Sequence, residues 1–304
     1  MSDIATVFGR PLQQDPAVAI AIPALPATEP PGPEHRVQFV VELVGPRSIP
    51  VASAVQLLSP QWFDSLGKPE VFAMGPADRA WQTLNSRASG SYDSLALAWD
   101  MVSANGQLTS ASANHLFKVA ESFASQIQRR AMPLPPPADI DRTVATLVDI
   151  KEGLDIGVEV LIVPQVHEFL ERDVWIALSE LGFDLAPSGF FELRTPDGTT
   201  VLTVTPTGGR DSFTLGQVQQ GVRHPGLLIG FNVPTSPAPE FALSALFSTA
   251  DHICRALQGF AMTDEDQPLN AFKSQLQSYL GDGIGALKRV GIIPGSRAAL
   301  KLFG

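Results

Sequence analysis

The sequence predicts an α+β protein of two tandem domains, each an antiparallel sheet with helices packed on one face. Three observations predict it. The stretch from Leu227 to Gly259 reads as an apolar strand, a proline-marked turn and an amphipathic helix. The helix carries Leu243, Leu246, Phe247, Ala250, Ile253, Cys254 and Leu257 at the 3–4 spacing that lays one stripe on a sheet. Subtracting 130 from each position gives Ala113, Leu116, Phe117, Ala120, Phe123, Ala124 and Ile127, all apolar, and the pair Ala-Met follows both helices at Ala131–Met132 and Ala261–Met262. Finally, each half holds a hairpin signal, around Gly75–Asp78 and at Pro196-Asp197-Gly198. Strands joined by a hairpin are antiparallel.

Taken in order, residues 1–36 are rich in proline and alanine, which predicts an extended, mobile leader. The first copy spans 37–153. It opens on a strand at Val37–Val44 and a short helix at Val51–Leu58. The hairpin Glu70–Met74 and Ala80–Leu84 follows, then the strand Leu95–Val102 and the long helix around Ala113–Ile127. The prolines of Leu134–Pro137 fall where Thr263–Pro268 falls in the second half, so they read as an internal loop. A helix capped by Asp139 closes the copy.

The second copy spans 156–290, with a strand at Val158–Val163 and a helix at Arg172–Leu181. The hairpin Gly189–Arg194 and Thr199–Thr205 turns on Asp-Gly, and Arg210–Val222 is a polar connection. The central helix has start signals at Ser236 and Pro237 and a stop at Gly259. An edge strand at Phe260–Met262 and a helix at Leu269–Leu280, ended by Gly281–Gly285, complete it. Residues 291–304 read as a tail.

Composition narrows the chemistry. A formal charge of −10 over 304 residues disfavours a nucleic-acid or anionic-membrane surface. One cysteine, Cys254, on an apolar helix face reads as a small buried hydrophobe and leaves no disulfide framework. No stretch approaches the ~20 apolar residues of a membrane span, so the reading is a soluble, cytoplasmic protein. His35, His115, His167, His224 and His252 are scattered, and none has a counterpart in the other copy. His167-Glu168 lacks the second histidine of a zinc helix, and Gly281–Gly285 follows a helix rather than a strand. These features predict no metal, no cofactor and no catalytic site.

The second copy resembles the C-terminal FtsZ-binding domain of the bacterial division protein ZipA. The likeness runs from about Ile156 to Lys288 and is carried by VEVLIVPQVHE, GFDLAPSGFFELRTPDG, Ser212–Phe213, HPGLLIGFNVP and DHICRALQGF. The first copy resembles the family only through the second. The resemblance implies a non-catalytic domain that receives the C-terminal tail of FtsZ, a tubulin-like GTPase, in a shallow groove on the sheet face away from the helices. It implies recruitment to the division site, although nothing here matches the family's membrane anchor and linker. Carried over by position, the groove falls at Val158, Val160, Ser188, Phe190, Thr205, Thr207 and Gly230. Ser188, Thr205, Thr207 and Gly230 depart from the large apolar residues of the family, and Gly209 stands where it has a basic residue. In the first copy, Phe39, Val71, Trp81, Ala98 and Trp99 occupy the corresponding strands. The alternative is a structural or adaptor module whose two sheet faces pack together and which binds a different partner.

Overall fold

The computed structural model describes residues 4–25, 29–87, 89–209, 212–263 and 267–304. The first residues of the polar connection, Arg210 and Asp211, lie outside the described residues, as do 1–3 and 26–28 of the leader. In chain order the elements are α1 (Ile4–Phe8), β1 (Gln38–Val44), α2 (Val51–Ala54), α3 (Pro60–Ser65), β2 (Glu70–Met74), β3 (Trp81–Thr83), β4 (Ser94–Asp100), α4 (Ser110–Gln126), β5 (Arg130–Leu134) and α5 (Ile140–Leu154). They continue with β6 (Gly157–Pro164), α6 (Glu171–Leu181), β7 (Asp184–Leu185), β8 (Phe191–Arg194), β9 (Thr200–Pro206), α7 (Leu215–Gln220), β10 (Leu227–Asn232), α8 (Pro239–Leu257), β11 (Gly259–Met262), α9 (Leu269–Arg289) and α10 (Arg297–Phe303). The fold is α+β, with antiparallel sheets. The chain divides into two units, Ala27–Leu154 with Ser296–Gly304, and Asp155–Gly295 with Met1–Pro26.

The unit containing β1–β5 has a five-stranded sheet in the order β3-β2-β4-β1-β5. Phe39, Val41, Leu43, Leu95, Leu97 and Trp99 are buried on its helix side. Phe39 stacks on Trp99 at 5.6 Å, and Trp62 of α3 meets Phe123 of α4 edge-on at 5.2 Å. The Trp99 indole donates to the Leu66 carbonyl at 2.7 Å, so its polar atom is satisfied inside the core. Strand alternation sends Val40, Phe72, Ala96 and Ala98 to the other face, where they form a second buried cluster with Trp81 packed against it.

The other unit has a six-stranded sheet in the order β7-β8-β9-β10-β6-β11. Val158, Val160, Ile162, Leu202, Val204, Leu227 and Ile229 are buried, and α8 lies against β6, β9 and β10. Trp175, Phe191 and Phe213 extend this core edge-to-face, with centroids 5.1 and 5.2 Å apart.

The two sheets agree in three consecutive strands ending at an edge, since β4-β1-β5 corresponds to β10-β6-β11, but the hairpins are placed differently. In the first sheet the leading hairpin strand β2 is inside; in the second the trailing strand β9 is inside. The inner place goes to the strand that tolerates burial. Val71, Phe72 and Ala73 are buried while Gln82 and Thr83 are exposed, and an exposed edge suits the polar strand.

Several sequence expectations change. The central helix starts at Pro239, not at Ser236–Pro237. A residue before proline is driven out of the helical region, and Ala238 sits at φ −145°, ψ 68°, so no helix can run through it. Gln258, at φ 53°, takes the left-handed cap expected of Gly259. The last helix of this unit does not stop at Gly281 but continues through its glycines to Arg289. At Gly283 α9 lies close against Ile156: a Cβ there would lie 2.8 Å from Ile156 Cδ1. The Pro196-Asp197-Gly198 turn is wider than two residues, because Gly198 N–H donates to the Thr195 carbonyl and Thr195 pairs with Thr199.

Both chain ends also differ from expectation. The leader is not free: Phe8 is buried against Trp175 at 5.8 Å, and the Arg172 guanidinium covers the Phe8 ring while donating to the Val7 and Phe8 carbonyls. Asp15 and Ile20 N–H groups donate to the Glu180 and Leu181 carbonyls. The expected tail contains α10, whose Ala298, Ala299 and Leu302 are buried.

Candidate functional site: an open sheet face

Parity along β6 decides what the second sheet offers a partner. Val158, Val160 and Ile162 are buried to 2% exposure or less, whereas Glu159 is exposed and Leu161 and Val163 are half-buried. Residues directly opposite on neighbouring strands share a face. Leu161 faces Met262 on one side and Leu228 on the other, and Leu228 faces Thr205. This row of half-buried side chains crosses the sheet on the face away from α8. Val163 opposite Phe260 lies beside it, and Phe260 is 46% exposed.

A polar row runs parallel to the apolar one. Glu159 faces Gly230, Gly230 faces Thr203, and Thr203 faces Glu192. Burial pushes the Glu192 carboxyl up, but hydrogen bonds from Thr200 and Arg194 and the Arg194 charge hold it below its ordinary value. Those bonds are 2.6 Å from Thr200 Oγ1 and 2.8 Å from Arg194 Nε. Gly230 belongs there because a Cβ would lie 2.8 Å from Glu159 Cγ and 2.9 Å from the Val158 carbonyl oxygen. The surface is thus a shallow apolar strip with an acidic border.

The structure redistributes the seven groove residues expected from the family likeness. Val158 and Val160 are corrected to the core; their side chains are sealed under the helices. Thr205 and Gly230 lie in the two open-face rows. Phe190 is half-buried next to β8, and Ser188 is exposed in the turn before it, with its hydroxyl accepting from Phe190 N–H at 3.4 Å. Thr207 follows β9 and donates its N–H to the Gly226 carbonyl. The carry-over missed Leu161, Val163, Leu228, Phe260 and Met262. The signal that finds them is Glu159, the one charge in the strand, which marks the odd positions as the solvent side. In the first sheet, Phe39, Val71 and Trp99 face the helices, and only Trp81 and Ala98 reach the other face.

A buried polar cluster that sequence did not indicate lies in the same unit. Glu171 and His224 have fully buried side chains 3.3 Å apart. Glu171 also accepts from the Trp175 indole at 3.2 Å and from Thr214 N–H at 2.9 Å. It ties the start of α6 to the connection before α7, a structural duty. Burial, then the nearby Asp251 charge, pushes the Cys254 thiol up to about 11, so it stays protonated at neutral pH. Among the described residues, no three His, Cys, Asp or Glu side chains gather as a metal site requires, and no helix is long and apolar enough to cross a membrane. No family model matches the chain, and no curated protein matches it.

Proposed function

We propose that the unit Asp155–Gly295 is a non-catalytic binding module that receives a short segment of a partner protein on its open sheet face. The partner favoured by the resemblance to the ZipA domain is the C-terminal segment of FtsZ. The chain then works in bacterial cell division, in the cytoplasm, recruited to the division site by that contact. One observation supports the reading above the rest: the row Met262, Leu161, Leu228 and Thr205, with Phe260 beside it, stays accessible while the opposite face is sealed by helices. Accessible apolar side chains aligned across a rigid sheet give a segment a place to bury its own.

Fluorescence anisotropy with a labelled peptide of the FtsZ C-terminal segment tests this. Saturable binding with a Kd on the order of micromolar or weaker is expected. Leu228→Lys, which puts a charge in the middle of the row, should weaken it by about tenfold or more. No binding at about 1 mM peptide discards FtsZ as the partner. Binding untouched by Leu228→Lys discards this face.

A further inference from the structure

In the first unit another part of the same chain, α10, packs on α5 and Val102–Ser103 and reaches the non-helical face of the sheet with its cations. Two cations of α10, Arg297 and Lys301, stand one helical turn apart and reach residues of that face. The Arg297 guanidinium lies over the Phe72 ring at 5.5 Å and pairs with Glu34 at 3.7 Å. Lys301 Nζ reaches Glu70 at 2.8 Å and Asp100 at 3.2 Å. Gln38, on the same face, donates from Nε2 to both of those carboxylates. Burial pushes Glu70 up, but hydrogen bonds from Lys301 and Gln38 and the Lys301 and Arg297 charges hold it below its ordinary value. Ala298, Ala299 and Leu302 supply the apolar side of α10.

We propose that this face is a peptide-docking site in its own right, and that the segment Ser296–Gly304 is its exchangeable occupant. Three features separate a bound segment from a part of the scaffold. α10 adds no strand, so the ladder of β3-β2-β4-β1-β5 is complete without it. A helix of seven residues does not persist alone in water, so its shape depends on the surface that holds it. Its ionic contacts go to carboxylates that are 47% and 36% exposed, a kind of contact that salt weakens. The site therefore takes a short helix with cations at i and i+4 and small or branched apolar residues between them. The proposal concerns the first sheet and is independent of binding at the Asp155–Gly295 face.

The test uses the full chain with a protease site inserted between Gly295 and Ser296. After cleavage and gel filtration, a labelled Ser296–Gly304 peptide is expected to rebind saturably to a chain that keeps its native circular dichroism. A peptide carrying Lys301→Glu is expected to bind about tenfold more weakly. Failure to rebind, unfolding on release of the segment, or equal binding of the two peptides overturns the proposal. Hydrogen exchange on the unmodified chain gives a second reading. Amides of Ala299–Phe303 should exchange faster than those of Phe39–Leu43, and faster still in high salt. Equal, salt-independent exchange overturns it too.

Discussion

Glu171 accepts from an indole, a backbone amide and a histidine inside a protein core. Replacing it with alanine leaves those groups buried without their acceptor. Glu171→Ala is expected to cost about 3–5 kcal/mol in urea unfolding, the range for breaking a buried pair from one side. Gly230 fails for a steric reason. Gly230→Val drives a branched side chain into the Val158 carbonyl and the Glu159 stem, and should lower the melting temperature as well as disturb the open face. Glu70 contributes to the pH dependence of α10 beside Glu34, which pairs with Arg297 and is pushed up by burial. The folded-state pKa of Glu70 lies below the unfolded one, so its contribution is present above pH ~4.3 and is lost as pH falls through the folded value. Hydrogen exchange at α10 should therefore differ between wild type and Glu70→Gln at neutral pH and converge once the pH has fallen through the lowered folded value.

At the scale of elements, the strands and long helices were legible because periodicity and punctuation agree. The stripes on α4 and α8, the hairpin signals and the strand runs all found their places within a few residues. The failures have particular causes. The start of α8 turned on Pro239 acting through the residue before it, and two prolines separated only by Ala238 leave the choice to backbone sterics. The glycines of α9 read as a stop, yet at Gly283 the absent side chain admits Ile156, a contact distant in sequence. β6 was recognised as a strand but assigned the wrong face, because Val158, Leu161, Ile162 and Val163 are apolar on both sides and one glutamate fixes the parity. The order of strands within each hairpin depends on which strand tolerates burial on both faces, and residue spacing carries no record of that.

At the scale of the whole molecule, the division of the chain was only partly visible. The step near residues 154 and 155 was expected from the repeat, but each unit also includes a segment from the far end of the sequence. The leader has proline-rich composition and no periodicity, and it docks through one aromatic ring and a few backbone bonds. Phe8→Ala empties that contact and should destabilise the Asp155–Gly295 unit by about 3 kcal/mol, read as an earlier urea midpoint and a red-shifted Trp175 emission.

The interleaved segments also bear on synthesis. Residues 27–154 leave the ribosome before Asp155–Gly295, yet α10, which belongs with them, is translated only after it. At ordinary elongation speeds that delay is on the order of ten seconds. For that interval the nascent first sheet must hold its shape without its last piece, and Phe72, Glu70 and Asp100 wait without their cations.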